Sequence, residues 1–245
     1  MSQILIPSLR FSDFNEEWKS KRYSEIFTTF KSGQTITSSQ ISELGDFPVY
    51  GGNGLRGYTD SFTHDGYYFL IGRQGALCGN INRVQGRIYI SEHAIACQVE
   101  DELATEFYAQ RLEQMNLNRF SESSAQPGLS VSKLLRFKLY IPTLSEQQKI
   151  ASFLTSVDSK ISQLTEKHRL LKEYKKGVMQ QLFSQQLRFK DKDGKAFPEW
   201  VTQSLREVGC FSGGGTPSTD NDSFWGGDIP WISRIARLRR ELKRG

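Results

Sequence analysis

The stretch Ser145–Phe183, SEQQKIASFLTSVDSKISQLTEKHRLLKEYKKGVMQQLF, contains no proline and a single glycine, Gly177. Ile150, Leu154, Val157, Ile161, Leu164, His168, Leu171, Lys175, Val178 and Leu182 follow one another at alternating spacings of four and three. Such a spacing keeps one stripe of a helix turned toward a partner, so the pattern predicts one uninterrupted helix with a coiled-coil seam. At about 1.5 Å per residue it would be roughly 58 Å long. Ser145, with Gln148 three residues later, fits a capping box at its start. The alternative is an amphipathic helix lying on its own domain. A domain of about 140 residues is only about 30–35 Å across, so a helix of this length would overhang it. His168 and Lys175 interrupt the apolar seam, and polar residues there can set register and partner number at a cost in stability.

Upstream, residues 1–144 mix short strand-like runs (Phe47–Tyr50, Tyr67–Ile71, Arg87–Ile90, Ala94–Val99) with glycine-rich turns. One further helix is expected from about Glu102 to Met115, with Leu103, Phe107, Leu112 and Met115 on a shared face. Gln126-Pro127-Gly128 breaks the chain, and Pro142 marks the entry to the long helix.

Downstream, the start of the chain recurs. Leu9-Arg10-Phe11 returns as Leu187-Arg188-Phe189, and Glu17-Trp18 as Glu199-Trp200. At the offset of that second pair, 182 residues, Glu25 falls on Glu207 and Pro48 on Pro230. Phe30-Lys31-Ser32-Gly33 is echoed in Phe211-Ser212-Gly213-Gly214. A period this long is a duplicated domain, not a solenoid. The match ends after Trp231-Ile232-Ser233, and the last stretch, RIARLRRELKRG, reads as a truncated or frame-shifted end.

The expected organisation is therefore mixed α+β. A globular domain with a β-sheet and short helices covers 1–144, a long coiled-coil-forming helix 145–185, and the start of a second domain 186–245.

Charge says little about partners by itself. The net charge is +5, but Arg234–Gly245 holds six basic residues and one acid, which leaves 26 basic and 26 acidic residues elsewhere. Any nucleic-acid surface must therefore be local. No run of about 18 apolar residues is present, so no membrane contact is expected. The N-terminal MSQILIPSLRF lacks the basic-then-apolar order of a signal peptide, which points to the cytoplasm. Cys78, Cys97 and Cys210 make neither a disulfide framework nor, with His64, His93 and His168, a metal-ligand spacing.

Several stretches imitate cofactor motifs. Gly52-Asn53-Gly54-Leu55-Arg56-Gly57 has the glycines of a dinucleotide turn, but the residues after it are aromatic and Thr/Ser-rich without helical spacing. A tight hairpin turn at Asn53-Gly54, needing positive φ, accounts for it. Phe211-Ser212-Gly213-Gly214-Gly215 matches a methyltransferase loop for S-adenosylmethionine, yet Thr216-Pro217-Ser218-Thr219-Asp220 follows instead of a helix. Asp191-Lys192-Asp193-Gly194-Lys195 begins like a calcium loop, but Thr202 stands where the twelfth-position glutamate belongs. No catalytic constellation, cofactor site or metal site emerges.

Binding groups are better represented. Asn53, Arg56, Tyr58, Arg73, Gln74, Arg83 and Arg87 lie on or beside glycine-bounded turns. Arginine reads guanine, and glutamine or asparagine reads adenine, through paired hydrogen bonds. Each is also ordinary surface chemistry when taken alone.

IPTLSEQQKIASFLTSVDSKI, from Ile141, resembles the central region of type I restriction–modification specificity (S) subunits: a proline-containing segment, Glu-Gln, then a long helix with an early Ile-Ala pair. FSGGGTPSTDNDSFWGGDIPWIS resembles the opening of their target recognition domains. The resemblance implies two recognition domains, each reading half of a split site in double-stranded DNA. It implies long antiparallel helices between them that also bind methyltransferase subunits, and through those the restriction subunit. It implies no active site and no cofactor on the S subunit itself. With one complete recognition domain, this chain is expected to form a homodimer through Ile150, Leu154, Val157, Ile161, Leu164, Leu171, Val178 and Leu182. The competing reading is a coiled-coil interaction protein without sequence-specific DNA binding.

Overall fold

Tyr67–Gly72, YYFLIG, is apolar at consecutive positions, the pattern of a strand covered on both faces. Alternation sends Phe69 and Ile71 to one face and Tyr68 and Leu70 to the other. Two separate cores result. Phe69 and Ile71 pack with Phe107, Tyr108 and Leu112, while Tyr68 and Leu70 pack with Val84, Ile88 and Ile90.

The computed structural model describes residues 7, 9–75, 77–121, 128–225, 227 and 228. Gln126-Pro127, Pro230, Trp231-Ile232-Ser233 and the basic stretch Arg234–Gly245 lie outside the described residues. In chain order the first elements are β1 (Lys19–Arg22), α1 (Tyr23–Ile26), β2 (Thr29–Ser32), β3 (Phe47–Gly51), β4 (Gly54–Thr59), β5 (Tyr67–Gly72) and β6 (Ile81–Gln85). Then come β7 (Tyr89–Ile90), β8 (Ala94–Gln98), α2 (Glu102–Gln114), α3 (Val131–Leu134), β9 (Lys138–Ile141), α4 (Leu144–Phe183) and α5 (Leu205–Val208). The chain divides into two units, Met1–Lys176 and Gly177–Gly245.

In the first unit an antiparallel sheet runs in the order β2-β8-β5-β6. A smaller sheet, β4-β3-β7, joins β3 to β7 in parallel, and β1 pairs with β9 antiparallel. The class is α+β, as the sequence predicts.

α2 starts where Asp101 Oδ1 accepts the Ala104 N–H at 2.7 Å, a side-chain cap. Its buried face is Ala104, Phe107, Tyr108 and Leu112. Leu103, expected on that face, is exposed, because the small Ala104 makes the close contact one position on. Met115 packs at the edge of the core.

The long helix begins one residue earlier than expected, at Leu144, and this undoes the predicted capping box. Ser145 lies inside the first turn, and Gln148 Nε2 donates to Asp101 Oδ2 at 2.9 Å, tying the helix to the cap of α2. Gln147 Nε2 bonds the Pro142 carbonyl at 2.9 Å. Only the first turns are buried, through Glu146, Gln147 and Ala151. Every residue from 152 to 176 is exposed, including Leu154, Val157, Ile161, Leu164 and Leu171. Arg169 bridges Glu166 and Glu173 at 2.6 Å each, on the helix side away from that stripe.

The second unit repeats local features of the first. The Arg22 N–H donates to Glu25 Oε2 at 2.8 Å ahead of α1, and the Ser204 N–H to Glu207 Oε2 at 2.9 Å ahead of α5. Asp191 Oδ1 accepts the N–H groups of Asp193 and Lys195 at 2.9 and 2.8 Å, with Gly194 at φ +80°, so the calcium-like segment is a turn. Phe211, the counterpart of Phe30 in β2, lies in no strand. A strand needs a partner ladder, and β8 has no counterpart among the described residues of this unit.

Candidate nucleic-acid interface

β3 and β4 pair down to Gly51 opposite Gly54, leaving Gly52-Asn53 as a two-residue turn. Gly54 has φ +99°, a conformation that a Cβ makes costly. The residues after the glycine-rich motif form strand β4, so no helix N-terminus is offered to a pyrophosphate. The turn is pressed against its neighbours. A Cβ on Gly52 would come 2.7 Å from the His93 carbonyl oxygen and 3.0 Å from Cα of Gly72. Asn82 Nδ2 holds it from β6 by donating to the Gly52 carbonyl at 3.1 Å. Asn53 at the tip is exposed.

Val49 pairs with Gly57 but Tyr50 with Leu55, so Arg56 is the extra residue of a β-bulge, a device that re-aims a side chain. Its stem crosses Gly51, where a Cβ would lie 2.8 Å from Arg56 Cδ. Arg73 and Gln74 follow β5. The Arg73 N–H donates to the His93 carbonyl at 2.9 Å, and the Arg73 carbonyl accepts the Leu129 N–H at 2.9 Å. Gln74 Oε1 lies 3.2 Å from His93 Nδ1, and His93 Nε2 lies 3.4 Å from Glu92 Oε1. The approach of Gly52 to Gly72 and Arg73 thus sets the hairpin that carries Asn53 and the Arg56 bulge beside the segment that carries Arg73 and Gln74. Among the described residues, neither Arg56 nor Arg73 is ion-paired.

The other candidates are placed differently. Tyr58 is half-buried toward the far end of β4, and its N–H and carbonyl each bond Ser42 at 2.9 Å. Arg83 is engaged inside the domain, with Nε at 2.9 Å from Glu106 Oε1 and Nη2 at 3.0 Å from Glu113 on α2. Tyr67 also donates to Glu106. Those two carboxylates occupy the Arg83 guanidinium on the α2 side. Arg87 lies past the opposite end of the β5–β6 hairpin from Arg73, a strand length of about 17 Å away. It bonds Asp65 at 3.3 Å and stands 5.3 Å over the Phe62 ring.

Asn82, Glu92 and His93 join the cluster unannounced by any motif. They reach it through strand register, and only the glycine pair at 72 and 52 hinted at close approach of the two chain segments. Cys78 and Cys97 are buried, and burial pushes both thiols up, which disfavours the reactive thiolate. Among the described residues no group of three His, Cys, Asp or Glu could hold a metal, and no helix is long and apolar enough to cross a membrane.

The family model described as the type I restriction modification DNA specificity domain matches residues 15–173. The chain belongs to the type I restriction–modification specificity family. The specificity subunit of the type I restriction enzyme EcoprrI, from Escherichia coli, is 40% identical over 166 residues, covering 66% of this chain and 41% of the relative. A putative specificity subunit of Haemophilus influenzae is 25% identical over 150 residues, covering 60% and 38%. The chain therefore spans about two fifths of the length of each of these two relatives. The crystal structure of an S subunit from M. genitalium shares the fold, with a TM-score of 0.58 at 18% identity, covering 77% of this chain and 50% of that one.

Proposed function

We propose that this chain reads DNA sequence for a type I restriction–modification assembly, directing methylation and restriction to a bipartite site. The observation that carries the reading is that the β3–β4 hairpin bearing Asn53 and Arg56 adjoins the segment bearing Arg73 and Gln74, with neither guanidinium ion-paired among the described residues. Turns that protrude from a rigid sheet can enter a groove, where arginine and amide side chains distinguish bases. The chain's contribution is recognition, with the chemistry residing in methyltransferase subunits and in the restriction subunit they recruit.

The exposed stripe of α4 supports a homodimer as the working form. The stripe is self-complementary when antiparallel: Ile150 meets Leu182, Leu154 meets Val178, Val157 meets Lys175, Ile161 meets Leu171 and Leu164 meets His168. One register pairs every seam position, setting His168 and Lys175 opposite Leu164 and Val157, with the midpoint level with Glu166. A two-fold axis there gives an isologous interface.

Methylation-sensitive sequencing of the host genome, with and without the gene, is the test. Loss of one methylated motif is expected. An unchanged methylome, together with DNA binding that ignores sequence, would leave only a coiled-coil interaction protein.

A further inference from the structure

Glu146, in the first turn of α4, is a fully buried carboxylate whose counter-charge comes from the N-terminal segment. Arg10 Nε and Nη2 donate to its two oxygens at 2.7 and 2.6 Å, and Trp18 Nε1 approaches Oε1 at 3.4 Å. Arg10 Nη2 also bonds the Glu16 carbonyl at 2.6 Å. Phe11 stands edge-on to Phe153 with ring centroids 5.8 Å apart. Residues 9–18 are a strap across the start of the helix. A largely apolar cavity of about 370 Å³ remains between the two, bordered by Leu9, Ile150 and Leu154.

The strap exists twice in the chain. Arg188 Nη2 donates to the carbonyls of Phe197, at 3.0 Å, and of Pro198, the position that Glu16 holds in the first copy. The guanidinium is therefore set by the same main-chain contact as in Arg10. Its ion-pair partner is Glu199, at 3.2 Å, whose side chain is 88% exposed. Leu187, Phe189 and Trp200 are 44%, 71% and 55% exposed. The second strap repeats the Leu-Arg-Phe and Glu-Trp ends and the guanidinium contact of the first, with a turn at Asp191–Gly194 between them, and has an apolar side in water.

We propose that residues 187–200 of one copy seat on the start of the partner's α4, exchanging there with the partner's own residues 9–18. The occupant is a second copy because the antiparallel seam brings it to the right place. In the register above, Phe183, the last residue of α4, falls level with the partner's Lys149, three residues from the partner's Glu146, or about 4.5 Å along the axis, and the Leu187 N–H turns back to the Gln181 carbonyl at 3.1 Å, which keeps Arg188 near that helix end. The strap starts four residues after α4 ends, so the tether is short and the effective concentration high. Two straps of like chemistry then compete for one carboxylate, which is the condition for swapping. The inference rests on the dimer proposed above.

The test uses two full-length preparations in a Cys210→Ser background, one carrying Phe189→Cys and the other Phe153→Cys. Mixing them with a short bis-maleimide reagent is expected to give a cross-linked heterodimer. Arg188→Ala in the first chain should lower the yield about ten-fold, the loss expected for a charge-assisted hydrogen bond. Arg10→Ala in the second should raise it; if that variant does not fold, the Arg188 arm decides alone. Sedimentation of the same mixture separates the two ideas. A dimer without cross-link, or a yield indifferent to Arg188, overturns the exchange and leaves the dimer standing. A monomer overturns both.

Discussion

Arg83 leaves β6 toward α2 and meets Glu106 and Glu113, whereas Arg73, at the end of β5, forms no ion pair among the described residues. Removing Arg83 strands Glu106, whose side chain is only 12% exposed. We predict that Arg83→Ala loses about 1–3 kcal/mol of stability in urea unfolding with site preference unchanged. Arg56→Ala, Arg73→Ala and Gln74→Ala should instead keep their stability and each lose about 1–3 kcal/mol on the cognate site. Binding to random DNA should fall much less, since phosphate contacts supply it; equal losses on both DNAs would make these residues backbone contacts. His64 gives a pH signature. It is buried beside Tyr68, and burial, then Lys31, holds its imidazole below the usual range. The unfolded chain therefore takes up the proton first, and stability should be full above about pH 6.5 and fall as pH drops below it. His64→Gln should flatten that dependence in thermal melts recorded from pH 7.5 to about 5; an unchanged slope would assign it to other groups. From sequence, Arg73 and Arg83 looked alike, since both sit beside turns. Their difference arises from strand register, which sets the face a side chain takes and which no local motif encodes.

α4 was legible almost to the residue, because its signal is a sustained period free of breakers and owes nothing to distant contacts. Its first turn was less so. Gln148 turned from the expected cap to Asp101, a partner 47 residues away that only the tertiary fold supplies. β5 and β8 were equally plain as apolar runs, while β1, β2 and β9 carry little periodic signal and depend on the strands they pair with. The exposed stripe is the element's unfinished business in water. Burying a leucine or isoleucine gains roughly 1.5–3 kcal/mol, so a seam of this length favours a partner. Leu154→Asp with Leu164→Asp places charges at seam positions that are already exposed in the single chain. We predict that the double variant keeps the thermal stability of the folded domain and sediments as a monomer at micromolar concentration, where the unaltered chain is expected to sediment as a dimer. A dimer in both would place the association surface elsewhere.

At the scale of the whole molecule, this chain brings one described α+β domain of the specificity family and one long helix, while spanning 41% of the E. coli specificity subunit. A two-fold dimer built on α4 would carry two identical recognition domains, one at each end of the paired helices. Identical readers related by a two-fold axis select a palindromic pair of half-sites, because each meets the same bases in the opposite strand sense. The separation follows from helix length. Forty residues of helix extend about 60 Å, beyond one DNA turn of about 34–36 Å, so the half-sites should be separated by bases that neither domain touches. Altering those intervening bases should leave methylation intact, whereas inserting or deleting them should abolish it, since the helix fixes the span. Long-read methylome sequencing of a host carrying this chain as its sole specificity gene reads the motif directly. Two inverted copies of one half-sequence are expected. Two unlike halves would mean that a different chain supplies the second reader, and that the self-complementary seam of α4 accepts a relative in place of a copy of itself.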